Sequence, residues 1–388
     1  MEKNSKKVIG FVSMDNPFLD KVAWSGTLYK LRESIEMAGF EVKWIPYNTH
    51  FKSKLLYYSI YNFTKNWNSH FTKYKWLPGH HFRPSVKAWA KEVDANPELK
   101  ECDYLFYPLA AKIAIYTKNI KPYINLSDYT VPDMLDYYFH NITKKSKTMA
   151  IEMDAVAAQN AFINIRSSQW ANDGLLNYYH CAPNKCHILE FGPNIDTKDI
   201  RQGQTYEGGQ LRLLFSGKDW KRKGGDIAVE TVEILRSKGI DARLIVAGPY
   251  VCPESCKGKD YIDYIGYLNK NNADDYDKYL SLYEHSHMLL LPTKAECSAI
   301  VYSEAAATGI PCYTYLTGGV GNYIVNELNG YALPEGSPAS AFAEQILKDI
   351  RTGRIPSLHE GALNLFKEKL SWEAWARGFK KIMEEASA

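Results

Sequence analysis

Two stretches of this chain, separated by a polar and glycine-containing segment from Gly192 to Gly209, each alternate short apolar runs with segments of helical period. A strand, a helix and a further strand in that order place the two strands parallel in one sheet. In the first stretch Val8–Val12 is a short apolar run, Leu28, Leu31, Ile35 and Ala38 repeat at helical spacing up to Gly39, and Phe40–Ile45 resumes strand alternation. Further strands are expected at Cys102–Pro108, Pro122–Leu126, Phe162–Ile165 and His187–Phe191, with a helix over Ala150–Phe162 and Ser167-Ser168 capping the next. In the second stretch Leu211–Phe215, Ala242–Ala247, Met288–Leu291 and Pro311–Tyr315 read as strands, and Gly224–Ser237 and Ile300–Thr308 as helices closed by Gly239 and Gly309. The expected fold is α/β, with two Rossmann-like halves and a ligand in the cleft between them, at the carboxyl ends of both sheets.

The 388 residues suit two domains, and 45% apolar with 23% charged residues is the composition of a globular chain. The net charge of +3 is unevenly spread: residues 42–91 hold nine Lys or Arg and no Asp or Glu, so the remainder is acidic. A globally basic nucleic-acid binder is thereby disfavoured. No apolar run reaches the roughly 18 residues of a membrane span, and the run Val8–Met14 stops at Asp15, too short for a signal-peptide core, so a cytoplasmic location is expected. Seven cysteines, an odd number, point to free thiols. His180, Cys181, Cys186 and His187 could be four metal ligands, but their spacing matches no common zinc pattern and incidental thiols are the expectation; Cys252 and Cys256 are read in the same way.

The strongest local signal is Phe215-Ser216-Gly217-Lys218-Asp219-Trp220-Lys221-Arg222-Lys223-Gly224-Gly225. A strand enters it, a helix leaves it, and its cations and glycines suit a diphosphate, although a solvated basic turn has the same composition. The Walker pattern is absent. A second signal is the pair Glu296 and Glu304, eight residues apart, the first in a loop after a strand and the second inside the following helix. At 3.6 residues per turn such positions differ by about 80°, so one carboxylate can face a sugar and the other a ribose. The amides of Cys297, Ser298, Ala299 and Ile300 would face the same ligand.

Taken together, these motifs resemble those of the family-four retaining glycosyltransferases of the two-Rossmann (GT-B) type, glycosyltransferase group 1, over nearly the whole chain. Glu296 to Glu304 is similar to that family's E-x7-E motif, Gly217 to Gly224 to its phosphate loop, Gly318-Gly319-Val320 to its Gly-Gly loop, and Gly192-Pro193-Asn194-Ile195-Asp196 stands where the family reads N-G-V-D. Trp24-Ser25-Gly26-Thr27 falls where the family has an amino-domain glycine loop facing the donor phosphates. The resemblance implies an acceptor-binding domain over 1–200 with a basic aromatic insert at about 50–91, a nucleotide-sugar domain over 201–370, and a terminal helix over 371–388 packing on the first domain.

It also implies roles. Lys223 neutralises the leaving nucleoside diphosphate, with Lys218 in the usual Arg place, Arg222 sharing the pyrophosphate, and Gly217 and Gly224 shaping the loop. Glu296 holds donor-sugar hydroxyls and Glu304 the ribose. Ser25 and Gly26 meet the donor phosphates, and the base lies near Gly248 and Tyr267. Three departures stand out: Lys replaces Arg at 218, Cys297-Ser298-Ala299 replaces Gly-Phe-Gly, and Ser127-Asp128 replaces His-Asp, which leaves Asp128 as the candidate polar group near the reacting carbon or as an ordinary turn cap. Metal-independent, cofactor-free transfer of a hexose to a glycan or lipid-linked acceptor is expected, with lysines and helix amides as the electrostatic clamp. A nucleotide-sugar epimerase of the same fold and a non-catalytic nucleotide-sugar-binding assembly protein are the rival readings.

Within the insert, Tyr57, Tyr58, Tyr61, Phe63, Trp67, Phe71, Tyr74, Trp76, Phe82 and Trp89 are mixed with lysines and with His70, His80 and His81. An anionic membrane face or lipid-linked acceptor would attract such a surface, and half-buried aromatics of a helical insertion would also produce it.

Overall fold

The computed structural model describes residues 6–62, 74–119, 121–298 and 300–387. It divides into two compact units, Met1–Leu189 with Ala376–Ala388, and Glu190–Trp375.

In the first unit β1 (Val8–Ser13), β2 (Glu41–Pro46), β3 (Tyr104–Pro108), β4 (Tyr123–Ser127), β5 (Ile163–Arg166) and β6 (Cys186–Ile188) form one sheet in the order β2-β1-β3-β4-β5-β6. Every pairing is parallel. Phe11, Phe106 and Ile124 on the central strands are fully buried, as expected where helices cover both faces. The Ser168 hydroxyl accepts from the Ala171 amide and caps helix Gln169–Asn177. The helix expected over Ala150–Phe162 begins earlier, at Lys144, and ends at Asn160.

The second unit holds β7 (Leu211–Ser216), β8 (Ala242–Ala247), β9 (Ile262–Gly266), β10 (Met288–Leu291), β11 (Cys312–Leu316) and β12 (Gly330–Pro334), in the order β12-β11-β10-β7-β8-β9 and again parallel throughout. Chain order reverses between β7 and β10, the switch point at whose carboxyl ends open α/β sheets bind their ligands. The fold is therefore α/β with two parallel Rossmann-like sheets. Helix Trp372–Ser387 starts in the second unit, where Trp372 donates to the Pro193 carbonyl at 2.7 Å. Its residues from Ala376 belong to the first, where Phe379 packs on Phe40 and Phe106.

The insert splits by exposure. Trp89 is fully buried against Tyr47, Tyr57 and His80, and Trp76 packs on Phe82. Helix Phe51–Asn62 turns Phe51, Leu55 and Tyr58 outward, 78%, 55% and 58% exposed. Phe63, Trp67, His70 and Phe71 lie outside the described residues, as does the side chain of Tyr61. All seven cysteines are free, and the Cys186 thiol donates to the Ala182 carbonyl at 3.4 Å. Among the described residues no three His, Cys, Asp or Glu side chains are grouped to hold a metal, and no helix is long and apolar enough to cross a membrane.

Candidate active site

The loops following β7 and β10 bring the two strongest motifs together inside the second unit. The β7 loop turns into helix Gly225–Ser237 at Gly224, whose φ is +73° and where a Cβ would lie 2.0 Å from the Pro292 carbonyl oxygen. A side chain there meets both backbone strain and a collision, so glycine is what lets the two loops touch. Gly248 closes against Gly217 in the same way, with φ +114° and a would-be Cβ 2.5 Å from the Gly217 carbonyl carbon. The rest of the contact is polar. The Lys294 amide donates to the Arg222 carbonyl at 2.8 Å, and Arg222 Nη1 donates to the Ala295 carbonyl at 2.8 Å.

Lys223 pairs with Glu296, and both side chains are almost wholly buried; Arg222 Nη1 stands 3.8 Å from the same carboxylate oxygen. The Glu296 carbonyl accepts from the Gly319 amide at 3.0 Å, so the Gly318-Gly319 turn after β11 buttresses it. Cys297 is buried, Ser298 and Ile300 are half-buried, and Ala299 lies outside the described residues. Lys218 is exposed, and its ammonium rests 4.5 Å from the centroid of the Tyr267 ring at the end of β9, a cation–π contact. Tyr267 in turn packs on the exposed Tyr250, with ring centroids 4.6 Å apart.

Glu304 sits one level deeper, inside helix Ile300–Thr308 and 1% exposed. Its Oε2 accepts from the hydroxyls of Tyr279 (2.5 Å) and Tyr283 (3.0 Å), and its Oε1 from Lys270 Nζ (3.2 Å). Burial, and then the Glu304 charge, push both tyrosine hydroxyls well above their ordinary range, so they stay protonated donors. Sequence reasoning missed these three partners. Tyr279 and Tyr283 are four apart and share a face of helix Ala273–Glu284, which was the one legible signal.

The remaining candidates belong to the first unit. Trp24, Ser25 and Gly26 hold three successive positive φ values (47°, 60° and 97°) just before helix Thr27–Met37. Two adjacent non-glycine residues in that region mark a strained turn held by its surroundings. Asp128 is buried at the end of β4. The cap of the short turn Val131–Met134 is the reciprocal pair Thr130 and Asp133, so Asp128 is not that turn's cap.

Residues 210–351 match the family described as Glycosyl transferases group 1. Over 178 residues the chain is 26% identical to an uncharacterized glycosyltransferase of Methanocaldococcus jannaschii, covering 45% of this chain and 48% of that one. It spans about half the length of the curated relatives it matches. The structure superposes on sucrose-phosphate synthase from Thermosynechococcus elongatus with a TM-score of 0.70 at 14% identity, covering 99% of this chain and 100% of that one. It superposes on Anabaena HepE in complex with UDP-glucose with a TM-score of 0.61 at 13% identity, over 98% and 99%. Both superpositions extend the two-Rossmann fold to the whole chain, and within it residues 210–351 are similar to the group 1 glycosyl transferases.

Proposed function

We propose that the chain is a retaining hexosyltransferase that moves a hexose from a nucleotide diphosphate sugar to a glycan or lipid-linked acceptor, without a metal. The observation that carries this reading is the buried Lys223–Glu296 pair, set where the β7 and β10 loops meet, with Arg222 beside it. A diphosphate placed there draws Lys223 and Arg222 to its oxygens while sugar hydroxyls take their place on Glu296. The cations and the amino end of helix Ile300–Thr308 stabilise the charge that grows as the sugar–phosphate bond breaks. Retention follows from attack on the same face. The acceptor oxygen bonds to the anomeric carbon as the phosphate oxygen leaves, and that phosphate oxygen takes the acceptor's proton, so no carboxylate nucleophile is needed. The HepE complex with UDP-glucose supports a donor of this class. Ser25 and Gly26 are assigned to the donor phosphates, Asp128 to the reacting carbon, and residues 1–200 to acceptor binding.

The same reading gives the chain a cytoplasmic location with a peripheral contact to the inner membrane face. Phe51, Leu55 and Tyr58 form an outward stripe on one side of helix Phe51–Asn62, with exposed Lys52 and Lys54 beside them. An apolar stripe flanked by cations suits an anionic interface.

The test is release of free nucleoside diphosphate from a panel of UDP-, GDP- and ADP-sugars with and without candidate lipid-linked acceptors. Acceptor-dependent release with retained anomeric configuration is expected. Isomerisation of the sugar nucleotide without release would assign an epimerase, and binding without turnover an assembly protein.

A further inference from the structure

Of the three groups that satisfy Glu304, two are fixed and one is not. Tyr279 and Tyr283 come from helix Ala273–Glu284, have hydroxyl oxygens 3.1 Å apart, and are deeply buried. Lys270 comes from the loop between β9 and that helix, and its side chain is 20% exposed while that of Glu304 is 1% exposed. Its ammonium also donates to the Asn194 carbonyl at 3.1 Å and lies 5.0 Å from the centre of the Tyr279 ring. The lysine therefore covers the solvent side of the carboxylate from a flexible stem. A pair of ribose hydroxyls would bring to Oε1 what the ammonium now supplies, hydrogens aimed at a charged oxygen.

We propose that Lys270 is an exchangeable gate over Glu304, replaced by the vicinal hydroxyls of the donor nucleoside, and that it sets how strongly the site discriminates ribose. This rests on the nucleotide-sugar reading above and adds to it a specificity-determining residue that the motifs do not contain. In the free protein the Lys270–Glu304 bond is already made, so a ribose gains the difference between two bonded states rather than a whole interaction. Without the ammonium, a buried carboxylate oxygen lacks one of its partners until a diol arrives. Ligands bearing the diol then gain affinity, and ligands lacking it do not.

The experiment uses the full chain as wild type, Lys270→Met and Lys270→Gln, titrated calorimetrically with UDP and 2′,3′-dideoxy-UDP, and with the GDP and ADP pairs where UDP does not bind. Lys270→Met is expected to lower the Kd for the ribonucleotide about tenfold, the ratio expected for one charged hydrogen bond no longer competed away. Lys270→Gln, whose amide still donates, shows a smaller gain, and the dideoxy ligand is unmoved in both, so the ribose preference widens. Circular dichroism confirms that each variant is folded, and Lys270→Gln serves where Lys270→Met is not. An unchanged or narrowed ribose preference overturns the gate, as does weaker binding of both ligands, which would make Lys270 a ligand-holding cation. If the wild type binds none of the three diphosphates, the donor reading itself fails and the gate falls with it.

Discussion

Lys223 and Glu296 meet as an ion pair with side chains only 11% and 10% exposed, at the seam between the β7 and β10 loops. Two charges taken so far out of water are held in place by each other. Removing one leaves the other uncompensated, which typically costs about 3–5 kcal/mol, whereas replacing both by neutral groups costs far less. Lys223→Met alone should therefore lower stability by about 3 kcal/mol, and Lys223→Met with Glu296→Gln should recover most of it. Transfer should fall about 10²-fold or more in both, because the leaving diphosphate loses its cation in either case. Urea unfolding and donor turnover measured on the single and double variants check this.

The close approach at Gly224 sets a second expectation. Gly224→Ala adds a Cβ 2.0 Å from the Pro292 carbonyl at a φ of +73°. Strain and collision together should cost about 2 kcal/mol or more and move the phosphate loop away from the β10 loop. Thermal melting should show the loss, and donor KM should rise with it. An unchanged melting temperature would mean that the two loops are not held in this contact.

Acid should weaken the first unit through its buried histidines. Burial, then the Lys112 charge, hold His80 down to about 3, and the same causes hold His81 well below the ordinary 6.5. Folded values below the unfolded one mean that the unfolded chain takes up protons first as pH falls. The stability is thus fully present above about pH 6.5 and is lost as pH falls toward 3, at about 1.4 kcal/mol per pH unit for each histidine. Urea midpoints should drop between pH 7 and pH 5, and drop less in a His80→Gln, His81→Gln variant. Equal slopes in the two proteins would remove the histidines from the account.

Membrane contact is expected to depend on the exposed stripe of helix Phe51–Asn62. Wild-type protein should sediment with vesicles containing phosphatidylglycerol and not with pure phosphatidylcholine. Phe51→Ser with Leu55→Ser should abolish sedimentation while leaving turnover of a water-soluble acceptor unchanged, since both side chains point outward from the fold. Sedimentation that survives the double substitution would place the contact elsewhere.

What was legible in the chain is what burial writes into it. β7, β8 and β10 lie inside their sheet, covered on both faces, and their continuous apolar runs mark them. The strands that escaped notice, β9 and β12, are the two edges of the second sheet; β9 is half-exposed through Ile265, and Asp263 on it pairs with Arg243. β6, another edge, is Cys186–Ile188 where His187–Phe191 was expected. The phosphate loop and the paired glutamates stood out because their glycines and charges are set by local geometry. The partners of Glu304 did not, because Lys270 arrives from a loop and Tyr279 and Tyr283 from a helix rich in Asp and Tyr with little apolar pattern. Long-range pairing of that kind leaves no more mark on either segment than the four-residue spacing of the two tyrosines.

Calorimetric titration of nucleotide diphosphate sugars into wild-type and Lys223→Met protein tests the central claim most directly. The account predicts that at least one of UDP-, GDP- or ADP-glucose binds the wild type and that the folded variant loses at least tenfold in affinity, as expected for one charge-assisted contact to a phosphate. Equal affinity in the two proteins would contradict it, because a diphosphate bound without Lys223 does not lie where the β7 and β10 loops meet.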